Sequence, residues 1–220
     1  MRIHAKFGLV LAVAIVPSLV SAQQTMDTRT GFDNSWFWGA KGGVTSFNAG
    51  AGRVSAPTIG GEWLITRSKG ALYISGEQSF FDETGGVFDQ SVSGSVRDVK
   101  ISDMRRYAIG LLAFPVTWGE LRPYAGLGVA INVIQSADPT GTYLNAQTQT
   151  LVFDRVAEQT SKVSAVLTAG AQLQFGRTAL FGQVSSMPTR ANFLLSGSNY
   201  TFVLEGGLRY NLATAIEALK

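Results

Sequence analysis

The stretch from Tyr200 to Leu212, YTFVLEGGLRYNL, divides into two chemically different faces when it is read in twos. Phe202, Leu204, Gly206, Leu208, Tyr210 and Leu212 fall on one side. Thr201, Val203, Glu205, Gly207, Arg209 and Asn211 fall on the other. A period of two is the signature of a β-strand, whose successive side chains leave opposite faces. An apolar face backed by Glu, Arg and Asn does not suit a strand buried on both sides. It suits a strand with hydrocarbon on one face and an enclosed polar space on the other, which is the situation of a membrane barrel wall.

Seven earlier segments read the same way. They are Trp36 to Phe47, Pro57 to Thr66, Ala71 to Phe81, about Ile101 to Phe114, Arg122 to Ile134, Lys162 to Phe175, and Thr178 to Met187, the last with the weakest alternation. Each is close to the ~10 residues that a tilted membrane strand requires. The connections alternate in length. Asn48 to Ala56, Asp82 to Lys100, Gln135 to Ser161 and Met187 to Asn199 read as loops, the second with flanks able to continue as strands. Arg67 to Gly70, Pro115 to Leu121 and Gly176-Arg177 read as short turns. Short turns on one side and long loops on the other are expected of a membrane barrel with both ends in the periplasm. Aromatic residues gather at the strand ends, with Trp36, Trp38, Trp118, Tyr124 and Tyr210 toward the turns and Phe80, Phe81 and Tyr107 toward the loops. The expected fold is all-β: an eight-stranded antiparallel up-and-down transmembrane β-barrel over residues 36–212. A soluble lipocalin-like barrel would reverse the two faces. Loop parity and the aromatic girdles favour the membrane form.

The start of the chain bears on the compartment. Arg2 and Lys6 precede an apolar run from Phe7 to Val20, and Val20-Ser21-Ala22 offers small residues for cleavage. Residues 1–22 therefore read as a secretory signal peptide, 23–35 as a polar periplasmic lead-in, and 213–220 as a short periplasmic tail. Loss of Arg2 and Lys6 takes the basic residues from 18 to 16 against 15 acidic ones, which removes any case for nucleic-acid binding. The chain has no cysteine, and its one histidine, His4, lies in the signal peptide. No disulfide framework, thiolate or imidazole metal site, or histidine-based triad is available to the mature chain, and no cofactor is expected.

The inward set carries three cations and three anions: Lys41, Arg106 and Arg209 with Glu62, Glu77 and Glu205. Buried charges must be paired, so an ion-paired lumen network is expected. By height on neighbouring strands Lys41 is set beside Glu62, Glu77 beside Arg106, and Glu205 near Lys41 across the closing seam. Eight strands leave an interior just wide enough for side chains to fill, which favours a plug over a gate.

Glu205, Gly207, Tyr210 and Leu212 form a pattern similar to the β-signal of bacterial outer-membrane barrels, and eight residues follow it. The run Arg122-Pro-Tyr-Ala-Gly-Leu-Gly128 resembles the Pro-Tyr-x-Gly-x-Gly strand of small barrels. Together these resemble the family of outer-membrane protein A and its eight-stranded relatives, over about Trp36 to Leu212. The resemblance implies an outer-membrane location, with lipid and the barrel assembly machinery as partners and the loops as the contact for any extracellular ligand. Lipid A deacylases, outer-membrane phospholipases and omptin-type proteases have a similar size or architecture but depend on a histidine, so an enzyme is not expected. The expected role is structural or surface-interacting, with the lumen plugged by ion pairs. The alternative is a narrow pore for small solutes or small hydrophobic molecules.

Overall fold

A computed structural model describes residues 31–49, 52–188, 193–195 and 200–214. The expected signal peptide over residues 1–22, residues 23–30 of the expected lead-in and residues 215–220 of the expected tail lie outside the described residues. Eight strands follow one another: β1 (Ser35–Ala49), β2 (Gly52–Arg67), β3 (Gly70–Phe88), β4 (Val96–Ala113), β5 (Leu121–Pro139), β6 (Ser161–Phe175), β7 (Thr178–Pro188) and β8 (Tyr200–Thr214). Each pairs antiparallel with its sequence neighbours, and β8 pairs with β1, so the sheet is a closed barrel. Closure leaves no sheet edge, the condition for a β-structure to cross hydrocarbon.

Alternation decides which face is outside. Leu127, Leu167 and Leu204 point outward and are 67%, 65% and 66% exposed, whereas Glu62 and Arg209 point inward and are 0% exposed. The apolar face therefore surrounds the barrel and the charged face lines it, the reverse of a lipocalin. The weak alternation of β7 is one of polarity only. Ala179, Phe181, Gln183, Ser185 and Met187 are all buried, and Leu180 and Val184 are exposed.

Several connections differ from the sequence expectation. Asn48, Ala49 and the residues from Gly52 to Ala56 are strand rather than loop, because β1 and β2 pair in unbroken register up to Ala49↔Gly52. The flanks of the Asp82–Lys100 segment do continue as strand, to Phe88 and from Val96. The hairpin kinks where Phe80 and Phe81 face the single residue Asp103, which takes a left-handed φ of 55°. An aspartate tolerates that conformation better than most residues, and its carboxylate accepts a hydrogen bond from the Phe81 amide at 3.3 Å. Gln135 to Ser161 is only partly loop. Strand β5 runs to Pro139, and a helix, α1 (Ala146–Gln159), follows, started by the Asn145 side chain accepting from the Thr148 amide at 2.8 Å.

Val152 and Val156, one helical turn apart, turn α1 onto the loop end of the barrel. There they join Phe47, Val87, Val99, Ile101, Met104, Ile134 and residues 193–195 in one apolar cluster. At the turn end, residues of the supposed polar lead-in fold under the barrel. Phe32 is buried among Phe37, Leu64, Leu112, Phe114 and Tyr124, with the Arg122 guanidinium over its ring at 4.8 Å. Both mouths are thus packed with apolar side chains. Tyr124 belongs to this inner set rather than to an outer aromatic girdle, since its ring is buried in the lumen.

Beyond the membrane wall, the β3–β4 hairpin is held by Arg97. Its Nε donates to Asp89 at 2.6 Å, and its other nitrogens donate to the Thr140 and Thr142 carbonyls at 2.6 and 3.1 Å. The ring of Tyr143 lies 4.3 Å from the guanidinium. Hydrogen bonds from the Ser91 hydroxyl, from Arg97 and from the Ser91 amide hold the Asp89 carboxyl down at about 2. A depressed carboxyl contributes stability that is fully present above its ordinary range near 4 and is lost as pH falls through the folded value. The hairpin tip should therefore stay ordered at pH 4 and loosen only toward pH 2. The Ser91 amide resonance in detergent micelles is the reporter, with a midpoint near 2 that Asp89→Asn abolishes. A midpoint near 4 would show that the carboxylate is not held by these partners.

Candidate functional site

The period of two that makes these segments strands also delivers charge to the barrel interior. Lys41, Glu62, Glu77, Arg106, Glu205 and Arg209 all point into the lumen and are buried. They form two clusters. In the first, Lys41 Nζ pairs with Glu77 and lies 3.1 Å from Glu205 Oε2, while Arg106 pairs with Glu77 and stands 3.6 Å from Glu205. In the second, Arg209 Nε pairs with Glu62 at 2.5 Å, and Arg209 Nη1 donates to Gln172 Oε1 at 2.7 Å. The expected approach of Glu205 to Lys41 and of Glu77 to Arg106 is present. Lys41 and Glu62 are not partners; Glu62 pairs with Arg209 instead.

Neutral side chains join the two clusters. Lys41 Nζ donates to the Tyr73 hydroxyl at 2.9 Å. The Gln183 amide nitrogen donates to Tyr73 at 3.2 Å and to Glu205 at 2.9 Å, and its carbonyl accepts from the Tyr124 hydroxyl at 3.0 Å. Arg209 Nη2 completes the chain by donating to Tyr124 at 3.4 Å. The Arg209 guanidinium also lies 3.9 Å from the centre of the Phe181 ring, an attractive placement for a desolvated cation. Charges of opposite sign are equal in number, so the network is neutral as a whole.

Inward glycines make these contacts geometrically available. Gly39 on β1 is the direct partner of both Glu62 on β2 and Arg209 on β8. Those two side chains meet over a residue that has none. The same arrangement recurs at Gly60, between Lys41 and Glu77, and at Gly170, between Tyr124 and Gln183. A Cβ at Gly39 would lie 2.9 Å from Glu62 Cγ, one at Gly60 2.7 Å from Glu77 Cγ, and one at Gly170 2.8 Å from the Tyr124 hydroxyl. Each bond thus crosses an intervening strand in the space a side chain would otherwise fill. Tyr73, Tyr124, Gln172 and Gln183 were not among the expected site residues. Their inward register could have pointed to them, since a buried amide or phenol requires a partner.

Gly39→Ala should destabilise the folded barrel by about 1–3 kcal/mol, the usual cost of overpacking, because the new methyl displaces Glu62 from Arg209. Urea titration in lipid vesicles, followed by gel mobility, measures it. An unchanged midpoint would show that Glu62 does not depend on the space over Gly39.

The chain is similar in structure to Neisserial surface protein A, NspA, whose crystal structure matches with a TM-score of 0.54 at 9% sequence identity, covering 80% of this chain and 97% of that one. It is also similar to the outer membrane protein OprG from Pseudomonas aeruginosa, with a TM-score of 0.49 at 15% identity, covering 83% of this chain and 98% of that one. No protein-family model and no curated protein matches the sequence. A closed eight-stranded antiparallel wall, apolar outside and charged within, together with the match to NspA, gives this chain the fold of the small eight-stranded outer-membrane β-barrels.

Proposed function

We propose that the protein is a non-enzymatic outer-membrane barrel with a structural or surface-interaction role, delivered by a cleaved signal peptide over residues 1–22, and that its lumen is a plug. The observation that carries the reading is the buried, charge-balanced network of Lys41, Glu62, Glu77, Arg106, Glu205 and Arg209, lying between apolar layers at both mouths. Moving a solute through such a core means separating ion pairs in a medium where each unpaired charge costs several kcal/mol. The wall then serves as an anchor, and the loop end with α1 is the surface offered to extracellular partners.

The alternative of a passage for small hydrophobic molecules draws on one feature. Pairing of β6 with β7 stops at Leu167↔Ser186, below the end of either strand. A small cavity lined by Met104, Met187, Asn132 and Lys162 lies at that level.

Two measurements separate the readings. In cell fractionation the protein should reach the outer membrane and show heat-modifiable gel mobility; recovery from the soluble periplasm without a mobility shift would sink the membrane reading. In planar bilayers the purified barrel should show no stepwise conductance, and large regular steps would replace the plug with a pore.

Glu205, Gly207, Tyr210 and Leu212 are proposed to serve as the address read by the barrel assembly machinery. Tyr210 and Leu212 point outward, away from the lumen network, so they can be altered without touching it. Tyr210→Ala with Leu212→Ala should lower the amount of folded barrel in cells while leaving unassisted refolding into vesicles unchanged. Equal losses in both settings would reduce the pattern to ordinary wall packing.

A further inference from the structure

The lipid-facing wall is not uniform. A groove of about 560 Å³ runs over β1 to β5 on its outer face. Its floor is the directly paired glycines Gly61 and Gly76. Trp38 and Trp63, edge to face at a centroid distance of 6.4 Å, wall it on one side. Tyr107 and Ile109 wall it on the other, Tyr107 being the cross-strand partner of Gly76. Barrel walls ordinarily present branched side chains to hydrocarbon, and two adjacent glycines between large rings leave a trough there instead.

At the head of the trough stands a cation. On β4 the outward positions Leu111, Ile109 and Tyr107 are apolar, and the next one toward the loops is Arg105. The Arg105 Nε donates to Gln78 Oε1 at 3.0 Å, and Gln78 is its direct cross-strand partner, next in line above Gly76. The glutamine fixes the guanidinium at the end of the groove. Arg105 has no ion pair among the described residues. The carboxylate nearest in sequence, Asp103, accepts from the Phe81 amide.

We propose that this groove holds an acyl chain of an anionic, phosphate-bearing lipid of the outer leaflet, with the lipid phosphate on Arg105 and the chain lying over Gly76 and Gly61 toward Trp63 and Trp38. The inference rests on the outer-membrane reading above. An apolar trough that opens at a fixed cation complements an amphiphile with an anionic head and a hydrocarbon tail. Guanidinium matches phosphate oxygens in geometry as well as charge.

The test uses the groove's own fluorophores. With Trp36→Phe and Trp118→Phe in place, only Trp38 and Trp63 remain in the mature chain. The protein is refolded into phosphatidylcholine vesicles containing either phosphatidylglycerol or phosphatidylcholine brominated along its acyl chains, at equal mole fraction. Brominated phosphatidylglycerol should occupy the quenching site with a preference of about fivefold, the attraction expected of one basic residue for an anionic lipid. Arg105→Gln should bring the preference to one, Arg105→Lys should keep part of it, and Gly61→Leu should remove it by filling the floor. Equal quenching by the two lipids in the parent protein, the mark of non-selective boundary lipid only, would overturn the proposal. So would a preference that survives Arg105→Gln. Gel mobility of the same samples keeps the two readings apart: a barrel that shifts on heating but shows no lipid preference defeats the groove alone, whereas the lack of any shift in the parent defeats the membrane barrel.

Discussion

Arg209 is fully buried inside the barrel, and a guanidinium in that position is tolerable only with an anion beside it. The anion is Glu62, and its place in the sheet gives the pair a second consequence. Glu62 is on β2 and Arg209 on β8, so β1 runs between them. The pair therefore straddles the strand at which the barrel closes. A slip of one residue on either side of β1 would turn a charge from the lumen to the lipid, and the two could no longer meet. The pair contributes little net stability over an apolar filling, but it penalises every neighbouring register of the seam. The Lys41–Glu77 pair acts in the same way one position along, over β2.

Large side chains could not meet across an intervening strand without a gap in that strand. Gly39, Gly60 and Gly170 provide it, and the network is as much a pattern of missing side chains as of present ones. Glycine in a strand is ordinarily a weakness, since it packs nothing and costs backbone entropy. In an eight-stranded barrel the interior is so narrow that an alternation of large and absent side chains fills it without overlap. Outside, Gly61 and Gly76 floor a trough, with the Tyr107 ring against Gly76 on one side.

Period two made the strands and their faces legible in the sequence, and with them the inward set of six charges. It made only some of the partners legible: Glu77 with Arg106 and Glu205 with Lys41 meet as expected, and Lys41 with Glu62 do not. Lys41 and Glu62 were matched by height along their strands, whereas the actual register sets Glu62 opposite Gly39 and Lys41 opposite Gly60. Register depends on the stagger accumulated around the whole barrel, which no single strand encodes. Helix α1 was hidden by the general polarity of Gln135 to Ser161, because two valines one turn apart were enough to seat it. Phe32 was one aromatic in a polar stretch with no period. The low contrast of β7 had a reason visible only in three dimensions: Phe181 faces the lumen, where its ring lies 3.9 Å from the Arg209 guanidinium. Arg97 and Asp89, within the segment from Asp82 to Lys100 that read as a loop, hold the hairpin tip.

The order of layers bears on what such a barrel could pass. Apolar clusters at the loop end and at the turn end exclude water from the polar middle, and charges in a drier medium attract one another more strongly. The lids thus strengthen the network, and the network holds the strands on which the lids are built. Opening a path along the axis would require α1 and residues 193–195 to lift at one end, Phe32 to leave the other, and ion pairs to separate between them. These steps are coupled, since lifting a lid admits water and weakens the attraction between the charges beneath it. A side route between β6 and β7 would need none of the five ion-paired strands, β1 to β4 and β8, to move. The β6–β7 ladder ends at Leu167↔Ser186 and the β2–β3 ladder at Thr58↔Ser79, so the wall loses its lateral hydrogen bonds toward the loop end at two places rather than one.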